Sequence, residues 1–358
     1  MSSGRMTILV VVAVVMAAGI SFGQVHFNDG KTWEIDYEVD DSVHIDEGDA
    51  YAQTRTTLQL IEGGQIPWPW NYLRVYNQGC VSVDGGHVYQ LHAHDATTVS
   101  MSAGDVTNLL AYNSSTVNIS GGELFLLEPY DDSSVTVSGG EVRGTLITRD
   151  SSTLHISDGN IDSLSIRGDS AVNIAGGELR FISTSPNNNS TIDISAGHVQ
   201  SLFTYSNAKV NVSGGQTDYL QVRDNGVATM SDGKIDELDL YDNSTVHISG
   251  GSITGDWGLR AFDSSTVDIS GGLIEEIWAE WLTFITITGH NFELGKGLWL
   301  DGDELWGTGT LSGQWLDGTE WSTEIVRNDE TATILLIPEP ATVMLLGLGG
   351  LALRRRQR

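Results

Sequence analysis

A short phrase recurs through the middle of the chain and constrains the fold more than any other feature. It reads Ser-Thr-Val-Asn-Ile-Ser-Gly-Gly at residues 115–122, and close copies occupy 133–140, 170–177, 244–251 and 265–272. Marking every copy, strong or weak, by its last glycine gives a series whose commonest interval is 18 residues: Gly48, Gly64, Gly86, Gly104, Gly122, Gly140, Gly159, Gly177, Gly197, Gly215, Gly233, Gly251 and Gly272. So short a period, in units that alternate apolar and polar residues, predicts a solenoid of strands.

Apolar residues in each unit lie five and three positions before the marker glycine, and two and five positions after it. A third apolar residue often lies seven after the marker, as at Ile147, Ile166, Val222 and Leu240. Alternation of period two places these side chains inside and the polar ones in water. Each unit is therefore predicted to form two short strands and two corners, which bury their apolar side by stacking on neighbouring units in parallel sheets.

The predicted fold is therefore all-β: a parallel β-helix, or β-solenoid, of about 18 residues per rung, expected to be right-handed. Open terminal rungs expose the core and unpaired strand edges, so both ends need covers. We expect an N-terminal cap with irregular first rungs at residues 24–76, repeats at 77–290, and a Trp/Gly-rich C-terminal cap at 291–337. The cap tryptophans also allow carbohydrate binding as an alternative: Trp299, Trp306, Trp315 and Trp321.

The two corners of each unit have different residue signatures. The marker position is always glycine, the residue that accepts a positive φ without steric cost, and no helix follows it to form a phosphate site. Eight or nine residues before the marker an Asx residue recurs: Asn77, Asp95, Asn113, Asp131, Asp150, Asp169, Asn188, Asn207, Asp224, Asp242 and Asp263. Such side chains cap turns and are expected to form a ladder, along which weak calcium binding is the one cofactor hypothesis left open.

A column of large side chains is predicted to face outward ten residues before the marker. Its members are Tyr76, His94, Tyr112, Tyr130, Arg149, Arg167, Asn187, Tyr205, Arg223, Tyr241 and Phe262. Aromatic, His and Arg side chains stack on one another at about the rung spacing, so the column has two interpretations. It is either a stabilising surface stack or a glycan-binding platform made of its tyrosines, arginines and Phe262.

The charge balance excludes several classes of partner. The chain has 47 acidic and 18 basic residues and a net charge of −29, so we expect no nucleic-acid binding and repulsion from anionic membranes. The one cysteine excludes an intrachain disulfide, and stability must come from packing.

Catalysis and metal binding both need a local departure from the repeat. The acidic residues are spread evenly over the rungs, and Glu123, Glu141 and Glu178 share the corner position after the marker. We therefore expect no enzyme activity, with a secreted polysaccharide lyase or glycoside hydrolase as the alternative. His92 and His94 lie near His87 without an evident third and fourth ligand, so no metal site is predicted.

The N-terminus indicates export. Residues 1–23 contain Arg5, an unbroken apolar run at 8–18 and small residues at Ser21 and Gly23, which together predict a signal peptide cleaved after Gly23. The apolar run is too short to span a bilayer as an uncleaved anchor.

The tail contains a second targeting signal. Pro338, Glu339 and Pro340 form a Pro-Glu-Pro box, an apolar stretch follows at residues 341–353, and a basic cluster closes it: Arg354, Arg355 and Arg356. This order resembles the PEP-CTERM sorting signal at 338–358, an apolar helix with a cytoplasmic basic end that anchors the chain transiently in the inner membrane. The resemblance implies processing by an exosortase, a membrane protease, and delivery to the cell surface or outside the cell. We therefore expect a structural or adhesive protein of the surface or exopolysaccharide matrix.

Overall fold

The computed structural model describes residues 24–48, 53, 55–67, 71–327 and 329–338. The predicted signal peptide at 1–23 and the apolar sorting helix of the tail lie outside the described residues. Every regular element within them is a strand, and no helix there is long and apolar enough to cross a membrane.

The strands are numbered in chain order. Six short strands open the fold: β1 (Gln24–Phe27), β2 (Thr32–Ile35), β3 (Ser42–Ile45), β4 (Thr57–Leu60), β5 (Gln65–Ile66) and β6 (Leu73–Val75). The repeats contribute β7 (Cys80–Ala93), β8 (Thr98–Ala111), β9 (Thr116–Ile119), β10 (Glu123–Pro129), β11 (Ser134–Thr148), β12 (Thr153–Ile166), β13 (Ala171–Thr184), β14 (Thr191–Thr204), β15 (Lys209–Val222), β16 (Val227–Leu240), β17 (Thr245–Ile253), β18 (Leu259–Ala261), β19 (Thr266–Ile274) and β20 (Glu276–Ala279). The last five are β21 (Phe284–Leu294), β22 (Leu298–Asp301), β23 (Glu304–Gln314), β24 (Glu320–Arg327) and β25 (Thr333–Pro338).

Each repeat strand pairs in parallel with the strands one turn before and one turn after it. In β12, for example, Leu154 aligns with Val135 of β11 and with Val172 of β13. The pairing continues for about 14 turns, which confirms the parallel β-solenoid and its period of about 18 residues. The right hand of the coil stays a prediction.

Most repeat strands bend at the marker glycine instead of ending there, so one long strand contributes to two faces. We call the outward side of the half before the glycine the polar face. Its central column is Ser82, Ser100, Asn118, Thr136, His155, Asn173, Asp193, Asn211, Thr229, His247, Asp268 and Thr286. We call the outward side of the other half the aromatic face, and it contains the predicted column from Tyr76 to Phe262.

The predicted inward residues form the core. Val117, Ile119, Leu124 and Leu127 are at most 1% exposed, and the equivalent residues of the other repeats join them in one cluster, except for the buried polar residue Thr217. Ile147 is an exception, because it lies half-buried on the outer side while Leu146 and Thr148 face inward. An irregularity between Val142 and Thr145 inserts the extra residue of this 19-residue turn and reverses the alternation.

The marker corner requires glycine for two reasons. From Gly86 to Gly272 every marker has a positive φ, whereas near Gly64 the left-handed residue is Gly63. A Cβ on Gly140 would also lie 2.8 Å from the carbonyl oxygen of Gly122 in the preceding rung. The stacked corners are therefore too close for any side chain at this position.

The Asx corner forms the expected ladder of hydrogen bonds from rung to rung. Asp95 Oδ2 accepts the backbone N–H of Asn77 at 3.0 Å, and Asn113 Oδ1 accepts that of Asp95 at 3.1 Å. Asp131 Oδ2 accepts that of Asn113 at 2.9 Å. Three left-handed residues lie one position before the predicted ones, at Gly168, Asn187 and Ser206 instead of Asp169, Asn188 and Asn207.

The two ends close differently. At the N-terminal end β1 pairs in parallel with β3 from Gln24↔Ser42 onward, so the stacking includes the first described residue. At the other end β24 and β25 form a last turn on β20 and β21, and β23 crosses as an antiparallel strand. Trp315 and Trp321 stack there with ring centroids 4.6 Å apart, and Trp315 Nε1 donates to the carbonyl of Gly272. These two buried tryptophans cover the end of the core.

Candidate functional site: the aromatic face

Strand alternation positions the aromatic face. In β7 the side chains of Leu91 and Ala93 point into the core, so His92 and His94 point outward. Parallel register then places each outward residue above its equivalent one turn on, as His94 lies above Tyr112. Rungs about 4.8 Å apart bring such rings to stacking distance.

A continuous ring stack occupies the first part of the predicted column. The centroids of Tyr76 and His94 are 4.9 Å apart, those of His94 and Tyr112 are 4.8 Å apart, and those of Tyr112 and Tyr130 are 4.9 Å apart. The ring planes differ by only 7° to 19°. Each inner ring therefore has both faces covered by its neighbours and presents its edge to solvent.

An ion pair closes this stack. The guanidinium of Arg149 lies 5.1 Å from the ring centroid of Tyr130 and 3.3 Å from Glu128 Oε1. The hydroxyl of Tyr130 donates a short hydrogen bond to Glu128. Burial and this bond raise the pKa of Tyr130 to about 12, so the phenol stays neutral.

A second stack lies further along the same face. Arg223 covers the ring of Tyr241 at 4.4 Å, and Tyr241 stacks on Phe262 with centroids 4.9 Å apart. Trp281 follows at 6.1 Å with its plane tilted by 56°, and its side chain is 51% exposed. Register places Glu280 at the next column position, so Trp281, at the left-handed corner residue beyond it, is a half-exposed ring at the edge of the column.

The middle of the column departs from the sequence prediction. Arg167 and Tyr205 lie in it as expected, but register places Ser185 between them, because Ile166 aligns with Thr184. Asn187 lies two residues further on, at a left-handed corner position. The turn between Gly177 and Gly197 has 20 residues, and counting back from its marker therefore misses the column.

The sequence analysis missed further side chains on this face that could contact a ligand. Phe181 and Phe203 contact each other at 5.3 Å, and Trp257 is 49% exposed beneath the guanidinium of Arg260. Arg260 donates two hydrogen bonds to Asp239, at 2.6 and 2.7 Å. Phe203, Asp239 and Arg260 lie two residues before the column position of their turns, and Phe181 lies four before it, so extending the outward alternation toward the glycine would have found them. Trp257 lies in an irregular turn five residues before Phe262, where the alternation gives no signal.

The acidic corner residues are engaged in ion pairs. Arg143 contacts Glu123 at 2.7 Å and Glu141 at 3.1 Å. His198 bridges Asp218 at 2.8 Å and Glu178 at 2.9 Å, and its hydrogen bonds to Asp218 and Glu178 raise its pKa. Both ring nitrogens of His198 are thus occupied, which leaves it poorly placed to exchange a proton with a substrate.

Two of the histidines that were considered and set aside as metal ligands belong to the aromatic face. His92 and His94 have ring centroids 6.2 Å apart, and burial lowers the pKa of His92 to about 4. The structure instead brings together His26, His44 and Glu47, which the sequence analysis passed over. The sequence did indicate that two of these residues are neighbours, because His26 and His44 are separated by one 18-residue period.

The sorting tail begins where the solenoid ends. Pro338 is the last residue of β25 and aligns with Gly289, while Glu339, Pro340, Arg354, Arg355 and Arg356 lie outside the described residues.

The tail is also where the chain matches a known family. Residues 336–358 match the PEP-CTERM protein-sorting motif, whereas no curated protein and no solved structure matches the chain significantly. The motif indicates export, a transient membrane anchor and processing by an exosortase, which is a membrane protein. The chain is therefore an exported parallel β-solenoid that carries a PEP-CTERM sorting signal.

Proposed function

We propose that this protein is a structural and adhesive component of the cell surface or the exopolysaccharide matrix, and that it holds polysaccharide along the aromatic face without cleaving it. The observation that supports this most is the run of rings and paired charges along one side of the solenoid. Aromatic faces beside carboxylates, amides and guanidinium groups provide both the apolar and the hydrogen-bonding contacts that sugar rings use.

The stacked rings and the exposed rings of this face have different roles. The inner rings of the stack from Tyr76 to Tyr130 cover one another, so they stabilise the rungs and offer a glycan their edges and hydroxyl groups. Trp257 and Trp281 are about half exposed, so they offer a sugar ring more accessible aromatic surface than the stacked rings do. We therefore assign the strongest glycan contacts to these two tryptophans.

A retention assay with product detection tests this proposal. The purified exported protein is passed over immobilised exopolysaccharides, and the eluate is analysed for released oligosaccharide. We expect retention without product, and a Trp257→Ala/Trp281→Ala double variant should lose most of that retention. A Thr153→Ala/Asn173→Ala double variant on the polar face serves as the matched control and should bind normally.

The other outcomes have distinct meanings. Released product would instead support the alternative, a polysaccharide lyase or glycoside hydrolase. Neither retention nor product would favour a passive scaffold. Intact-mass analysis of the secreted protein tests processing separately, and we expect a mass that lacks both the signal peptide and the tail.

A further inference from the structure

A cluster of potential metal ligands lies at the N-terminal end of the aromatic face, where the ring of His44 stacks on Tyr76 at 6.4 Å. His26 of β1 and His44 of β3 are aligned in the parallel register, and their ring centroids are 5.0 Å apart. Glu47 follows β3 after a turn, and its Oε2 lies 2.7 Å from His44 Nδ1 and 3.6 Å from His26 Nδ1. One donor atom from each residue therefore converges on a single point.

His44 is the residue that indicates a ligand. Its side chain is only 2% exposed, its Nδ1 lies 2.7 Å from Glu47 Oε2, and its Nε2 makes no hydrogen bond within the described part of the chain. Buried polar groups in folded proteins nearly always have a partner, because leaving one unpaired costs about 1–3 kcal/mol. A bound cation would supply that partner.

We propose that His26, His44 and Glu47 bind a divalent transition-metal ion, most suitably Zn²⁺, and leave a fourth position to water. Two imidazoles and one carboxylate form a donor set that suits zinc, whose ligands lie about 2.0–2.2 Å from the ion. Tetrahedral ligands at that distance are roughly 3.3 Å apart. The three donor atoms already lie within 4.8 Å of one another, and the partly exposed side chains of His26 and Glu47 are free to close the remainder by rotation.

The surrounding charges set the strength of the site. Arg74 occupies the position aligned with His44 on the next rung, and its guanidinium lies 4.0 Å over the ring of Tyr72. This positive charge opposes a second cation, and the carboxylate of Glu47 offsets it. Asp46 is committed elsewhere, since its two oxygens accept hydrogen bonds from the backbone and hydroxyl of Thr56.

The position of the site suggests what the ion does. In the described residues β1 pairs with β3 alone, so it is the edge strand of the described solenoid. A metal held by one ligand from β1 and two from β3 and the turn after it would join the edge strand to the second rung. We therefore infer a structural role, in which the ion prevents fraying at the N-terminal end.

Metal binding is measured directly on the purified full-length chain after removal of metal with a chelator. Co²⁺ is the probe, because its visible absorption reports tetrahedral nitrogen and oxygen coordination. We expect one equivalent to bind with saturation, to be displaced by Zn²⁺, and to raise the thermal unfolding midpoint.

Two variants that preserve the buried ring identify the ligands. His26→Ala and Glu47→Gln change partly exposed side chains, so both should fold normally in chelator by circular dichroism and should weaken Co²⁺ binding by more than about 100-fold. The matched control is His247→Ala, which changes an exposed histidine on the polar face and should bind as the parent does. Absence of saturable Co²⁺ absorption, or undiminished binding in both His26→Ala and Glu47→Gln, overturns the proposal.

Discussion

The polar face and the aromatic face have the same backbone, rung spacing and core, yet different interactions hold their side-chain columns together. On the polar face the columns are held by hydrogen bonds between short side chains, as where Asn211 Nδ2 donates to Asp193 at 2.6 Å and Thr229 donates to Asn211 at 2.8 Å. On the aromatic face the columns are held by stacked rings and ion pairs. The solenoid therefore determines where side chains align, and residue type determines how they interact.

The two faces also correspond to different parts of the repeat unit. The recurring phrase covers the half of each unit that forms the polar face and the glycine corner, where copies are nearly identical. The half that forms the aromatic face varies from turn to turn. A varied surface on a uniform scaffold is what a binding face needs, which is why we assign the ligand contacts there.

The largest expected effect comes from the glycine corner that separates the two faces. Gly140 and Gly318 have similar φ values, 84° and 87°, but a Cβ would meet the preceding rung only at Gly140. We expect Gly318→Ala to destabilise the protein by about 1–2 kcal/mol from φ strain alone. Gly140→Ala should cost roughly 1–3 kcal/mol more because the rungs must move apart. Urea unfolding measures both, and equal losses would show that rung contact is unimportant.

A direct comparison of the faces should give the next largest effect. Tyr112→Ala removes two ring contacts, with His94 and Tyr130, each worth about 0.5–1.5 kcal/mol, so we expect a loss of roughly 1–3 kcal/mol. Asn118→Ala, at an exposed position on the polar face of the same turn, should change stability by less than about 0.5 kcal/mol. Similar midpoints for the two variants in thermal unfolding would remove the distinction we draw.

The Asx ladder at the other corner should contribute less per residue. Asn113→Gly keeps the left-handed conformation and removes the acceptor for the N–H of Asp95, so we expect a loss of about 1 kcal/mol. Asn113→Asp retains an acceptor and should be nearly neutral, as Asp occupies this position in other turns. Hydrogen exchange at the Asp95 amide measures the effect locally, and unchanged protection in Asn113→Gly would contradict the ladder.

The smallest expected effect is a pH dependence at His198. The hydrogen bonds to Asp218 and Glu178 raise its folded-state pKa above the ordinary value of 6.5, so the stabilisation is fully present below pH 6.5 and is lost as pH rises through the folded pKa. Because the side chain is 36% exposed, screening limits the contribution to at most about 1 kcal/mol. The parent should lose more stability than His198→Gln between pH 5.5 and 8.5. Parallel pH profiles for the two proteins would exclude this coupling.

The sequence was most informative where the period is constant. The alternation in residues 116–127 correctly predicted which side chains are buried, and the glycine column correctly predicted its corner. The Asx column predicted the other corner except for one-residue offsets at Asp169, Asn188 and Asn207. The sequence-based prediction was wrong at Ile147 and Asn187, where turns of 19 and 20 residues insert positions that a count from the marker does not locate. An inserted residue changes the facing of a strand, and its position depends on how the neighbouring rungs pair.

The buried serines are a feature that sequence reasoning passed over. Ser115, Ser133 and Ser244, the first residues of their phrases, are fully buried, and their hydroxyls have no partner among the described residues. In the sequence, a polar residue beside the Asx turn suggests a surface position. In the structure, the stacked corners bury this residue and leave room only for a small side chain.

The sequence by itself determined the fold, because an 18-residue period of alternating apolar residues with glycine and Asx at fixed positions has few other ways to bury its core. The sequence also identified the export and sorting signal, since the tail motif is recognised by the linear order of its residues. Only the tertiary structure decided which residues meet across rungs: the stack of Tyr76 through Tyr130, the bridge at His198, and the convergence of His26, His44 and Glu47. Those contacts join residues a full turn apart, and register alone brings such residues within bonding distance.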